Sequence, residues 1–106
     1  MKNYRVMIMP TAKEGLLEIA EYIALDNPTR AISFIDELTS ALKNSLSIFP
    51  YAGRVAENLN LDEEIRTTSH GNYNSYYRIL DDEQVVEVLF IFNASRDIEA
   101  LISQIK

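Results

Sequence analysis

Cysteine is absent from all 106 residues, which excludes a disulfide framework, a zinc site built on thiolates and a thiolate nucleophile. A reducing compartment, the cytoplasm, is the expected setting. Histidine occurs once, as His70, excluding a His-rich metal site and any acid–base scheme that needs two imidazoles. Glycine and proline are scarce, three of each, so order is expected along the whole chain. Apolar runs are short as well. The first, Tyr4 to Met9, lacks a long basic leader and closes at Pro10, unlike an export signal. No other run approaches the roughly 20 residues of a bilayer crossing, so no membrane association is expected. Positive charge is the last shortage: ten Lys and Arg stand against sixteen Asp and Glu, a net charge of −6. Phosphate neutralisation supplies most non-specific nucleic-acid affinity, so direct nucleic-acid binding is not expected without a local basic patch. A phosphate-binding glycine loop, a nucleophile elbow and a catalytically spaced carboxylate pair are all missing. No cofactor or metal is expected.

What remains is an ordinary globular composition, 47% hydrophobic and 25% charged, long enough for one domain over residues 1–106. Tyr4 to Met9 reads as a strand closed by Pro10. Thr11-Ala12-Lys13-Glu14 has the capping-box pattern and predicts a helix start. Ala12, Leu16, Ile19, Ala20 and Ile23 form its apolar face. Asn27-Pro28 fits the N-cap and first position of a second helix running to about Leu46. Its stripe is Ala31, Phe34, Ile35, Leu38, Leu42 and Leu46, so the two helices should form an αα-hairpin. Pro50 and Gly53 end it, and the stretch to Glu64 reads as an exposed loop.

Ile65 to His70 and Tyr73 to Leu80 flank Gly71-Asn72, a dipeptide suited to a two-residue hairpin. Val85 to Phe92 is almost continuously apolar and reads as an interior strand at the centre of the sheet. Ser95 is the expected cap of a short last helix, with Asp97 and Glu99 in its first turn. The order βααβββα implies an α+β fold, with the αα-hairpin packed on one face of a four-stranded antiparallel sheet.

Arg54, Arg66, Arg78 and Arg96 are the only basic residues between Lys43 and Lys106. Gathered around the meander, with Arg66 and Arg96 near Arg78, they would form an anion or partner site. The competing reading pairs them with Glu57, Glu63, Glu64, Glu87 or Asp97 as surface ion pairs. Alternation places Tyr73, Ser75, Tyr77 and Ile79 on one face of their strand and Asn74, Tyr76, Arg78 and Leu80 on the other. Tyr73 and Tyr77 then suit core packing better than base stacking. His70 reads as an exposed turn residue, and Asp62-Glu63-Glu64 and Asp81-Asp82-Glu83 as solvated turns.

Tyr4-Arg5-Val6, Pro10, Ala12, the run from Leu17 to Ala24 and Asp26-Asn27-Pro28 resemble the opening of ParE-type toxins. Pro50, Gly53-Arg54, Tyr73, Tyr77-Arg78 and Arg96-Asp97 resemble the rest of the signature of the RelE/ParE superfamily. The resemblance implies the toxin half of a bacterial type II toxin–antitoxin module, linked to growth regulation and plasmid stabilisation. It implies a cognate antitoxin as partner and oligomer formation through the antitoxin complex. Arg54, Arg66, Tyr77, Arg78 and Arg96 become the partner-binding residues. Two activities divide the superfamily. The RelE branch cleaves messenger RNA on the ribosome, a role for which Arg66, Arg78 and Arg96 would be the catalytic residues. The ParE branch poisons DNA gyrase by protein binding and is no enzyme. With no Lys between Lys43 and Lys106, Phe92-Asn93 where many relatives carry His, and no Tyr after Tyr77, the resemblance leans towards ParE. The acidity departs from the family's usual basic character, which keeps open a degenerate member that only binds antitoxin.

Overall fold

A computed structural model describes residues 3–56 and 63–95. Strand β1 (Arg5–Ile8) leads into helix α1 (Pro10–Ala24) and helix α2 (Pro28–Ile48), and a 3-10 turn spans Pro50–Ala52. Strands β2 (Arg54–Val55), β3 (Arg66–His70), β4 (Tyr73–Leu80) and β5 (Val85–Asn93), with a second 3-10 turn over Asp81–Glu83 between the last two, complete the described elements. The sheet has five strands in the order β1-β5-β4-β3-β2. All neighbours are antiparallel except β1, which runs parallel to β5. No helix among the described residues is long and apolar enough to cross a membrane.

The α+β layering and the order of the main elements match the sequence reading, and three details correct it. The sheet is mixed and five-stranded because β1 enters beside β5, and because Arg54–Val55, read as loop, pairs with Thr67 and Arg66. The capping box does not form. Pro10 takes the first turn, Met9 is the N-cap without a side-chain hydrogen bond, and Thr11 and Glu14 lie inside α1. Finally, β5 is interior, but the middle position of the five belongs to β4. The expected last helix and Arg96 lie outside the described residues.

Helix α2 starts as expected: Asn27 Oδ1 accepts the Arg30 amide at 3.0 Å, with Pro28 at the first position. Gly71 has φ +59°, the left-handed conformation that a tight β3–β4 turn demands. The main core lies between hairpin and sheet, where Ala12 and Ile19 of α1 and Leu38, Leu42 and Leu46 of α2 meet Tyr77, Val86, Val88 and Ile91. A bulge opposes Tyr76 to Phe90 and Tyr77 to Val88, leaving Leu89 as the extra residue. The alternation of β5 therefore resets, and Leu89, Phe90 and Phe92 join Ile65 and Tyr76 in a second cluster. This cluster sits on the face away from the helices, called here the outer face.

Candidate functional site

Register decides which candidate side chains share a surface, because residues directly opposite each other in an antiparallel pair project to the same side. Arg66 lies opposite Tyr77, and Tyr77 belongs to the helix-side core. Arg66 is therefore on the helix side and Arg78, one residue past Tyr77, on the outer face. The expected meeting of Arg66 with Arg78 does not occur.

Arg66 is a clamp. Its Nη1 donates to the carbonyls of Gly53 at 2.7 Å and Tyr51 at 3.2 Å. Its guanidinium stacks 5.0 Å from the Tyr51 ring centroid, and Glu64 pairs with Nη2 at 2.9 Å. These contacts pin the 3-10 turn to β3. Tyr77 does related work from beneath. It is fully buried, and its hydroxyl donates to the Pro50 carbonyl at 2.6 Å. Burial pushes its pKa up. Tyr77 is thus a core residue and offers no surface to a partner.

Arg78 is held by two carboxylates. Glu87, directly opposite on β5, accepts from Nε at 2.6 Å, and Glu63 accepts from Nη1 at 3.0 and 2.9 Å. The ion-pair reading thus holds for Arg66 and Arg78. Glu63 and Glu64 are adjacent ahead of β3, yet each grips an arginine on a different face of the sheet. Arg54 is exposed and lies opposite Thr67, which puts it on the outer face with Arg78. His70 is half-buried and sits on the helix side, its ring 6.1 Å from Phe34.

The sequence matches a family model described as the ParE toxin of the type II toxin–antitoxin system parDE, over residues 6–98. The chain belongs to the ParE toxin family. Among curated proteins no sequence matches. Solved structures with the same fold include the RelBE2 toxin–antitoxin complex of Mycobacterium tuberculosis, at TM-score 0.64 and 23% identity, covering 90% of this chain and 97% of that one. The chromosomal ParDE system of P. aeruginosa gives TM-score 0.69 at 15% identity, covering 87% of this chain and 97% of that one. The isolated E. coli RelE toxin gives 0.57 at 15%, covering 97% and 99%. The fold is thus shared across the RelE and ParE branches.

Two features of this ParE-family chain escaped sequence reasoning. The first is a tyrosine–carboxylate knot. Asp81 accepts from the Tyr4 hydroxyl at 2.5 Å and from the Tyr51 hydroxyl. Both donors favour the carboxylate, which holds the Asp81 pKa below its usual value. Tyr4 is raised, and Tyr51 is pushed up to about 12, chiefly by that same bond to Asp81. Three residues distant in sequence meet here, so spacing gave no signal. The second is an open edge. β1 has a sheet neighbour on one side only, β5, to which Arg5 and Met9 bond through the Gln84 and Val88 carbonyls. The intervening amides of Val6 and Ile8 point outward. Beside them lies a groove of about 370 Å³, lined by Val6, Ile8 and Leu16 together with the exposed Lys13 and Lys43.

Proposed function

We propose that this ParE-family toxin arrests growth as a protein-binding poison of DNA gyrase and is not a ribonuclease. One observation carries the reading: the sole imidazole faces the helices, while the outer-face Arg78 is already engaged by Glu63 and Glu87. Among the described residues the outer face offers no imidazole or ammonium to move a proton during RNA cleavage. The partly exposed Phe90 and Phe92, on the same face as Arg54 and Arg78, suit protein contact instead.

A cognate antitoxin keeps the toxin in check in this proposal, with an extended segment laid along the hairpin and the β1 edge. The outward amides of β1 support strand addition, and Lys13 and Lys43 supply charge for its carboxylates. Leu17, Tyr22, Leu25 and Ile32 are exposed on the hairpin and give it apolar anchorage. Arg54 and Arg96, with Arg78 where a partner replaces Glu63, would receive the partners' carboxylates, and the toxin would oligomerise through the antitoxin complex in the cytoplasm.

Controlled expression without antitoxin tests the target. Filamentation with SOS induction, and stabilised gyrase–DNA cleavage by purified protein, are expected, weakened by R54A or R96A. Translation-coupled cuts in messenger RNA would replace this reading with the RelE-type ribonuclease, and harmless overexpression with a degenerate antitoxin binder. Failure to co-purify with the product of the adjacent gene would remove the antitoxin reading.

A further inference from the structure

The two carboxylates on Arg78 are not equivalent. Glu87 lies on an interior strand with its side chain only 13% exposed, whereas the Glu63 side chain is 49% exposed and comes from the connection ahead of β3. Glu87 is fixed to the sheet together with Arg78, directly opposite it in register. Glu63 is the outer ligand, seated by both oxygens on one guanidinium nitrogen. A half-exposed pair of this kind is weak, so its release costs little.

From this geometry we propose that Glu63 is a built-in occupant of a carboxylate site on the outer face. An acidic, apolar-rich protein segment binds there by displacing it. Arg78 is the head of the site and Glu87 its fixed wall. Phe90 and Phe92 lie partly exposed on the same face, packed against the buried Ile65 and Tyr76, and accept apolar side chains, and exposed Arg54 offers a second cation. With both carboxylates in place the centre carries a net negative charge and repels anions. Once Glu63 swings away, an incoming carboxylate restores the arrangement already seen. A protein segment fits better than a nucleic acid, because one guanidinium and an apolar bed match alternating acidic and apolar side chains, while a chain of net charge −6 repels a phosphate backbone. The proposal deepens the antitoxin reading and rests on it for the source of the segment.

The probe is a ten-residue peptide of alternating leucine and glutamate, with binding followed by fluorescence anisotropy at low salt. E63Q is expected to bind it about twofold to fivefold tighter than the parent, the gain from removing a weak internal competitor. E63Q combined with R78Q loses that gain, and E21Q, an equal charge change on the exposed surface of α1, binds as the parent does. An E63Q affinity equal to the parent's would overturn the proposal. So would a gain that survives R78Q, a gain matched by E21Q, or an equal gain for a ten-nucleotide oligothymidylate. Because neither gyrase nor cells enter the measurement, its failure is separable from failure of the gyrase reading. Antitoxin co-purification that persists without the E63Q gain would leave the toxin assignment standing and remove only the displaceable carboxylate.

Discussion

A single buried hydroxyl ties the turn after α2 to the middle of the sheet. Tyr77 donates to Pro50 from a fully buried position, and removing it leaves the Pro50 carbonyl without this donor. Y77F should cost about 1–3 kcal/mol, readable as a fall of roughly 4–8 °C in Tm for each kcal/mol. Asp81 is exposed but carries a pH signature. Its folded pKa is depressed by Tyr4 and Tyr51, so its contribution is present above the ordinary carboxylate value of about 4 and fades as pH falls through the lower folded value. Tyr51 is raised to about 12, so its contribution is intact below about 10 and fades as pH climbs towards 12. Melting temperatures against pH should flatten at the acid end in D81N and at the alkaline end in Y51F. If neither limb changes, the knot has no part in stability.

At the scale of elements, what could be read in advance follows from how local the cause is. Asn27-Pro28 and Gly71 act within a turn of their own position, and both the α2 start and the β3–β4 hairpin were legible from them. N27A should lower stability by about 1 kcal/mol, measurable by urea unfolding with an unchanged slope. β2 was invisible because two residues carry no period and owe their strand geometry to the partner strand. The separation of Arg66 from Arg78 was equally hidden, since the pairing register fixes which face each occupies. Gly15 was not legible either. It sits where α1 presses on β5, and a methyl group there would run into the Ile91 carbonyl. G15A should push helix and strand apart and cost about 1–3 kcal/mol, despite alanine's better helix propensity. A stabilised G15A protein would contradict this contact.

For the whole molecule, the parallel seam between β1 and β5 sets an order of events. Residues 5–8 pair with 85–88, so β1 is completed by a strand made long after it. Contacts of such long separation close late, after their loop entropy has been met. During synthesis, β1 and the hairpin must wait with one side of the core open, because Val86, Val88 and Ile91 have yet to arrive. Ribosome-arrested chains whose emerged portion stops at Gln84 should be digested readily by protease, and chains that expose the whole of β5 should resist. A fragment of residues 1–84 that melts cooperatively would contradict this. The seam therefore works as a timer: the helix-side core closes, and the sheet gains its β1 edge, only once β5 has been made.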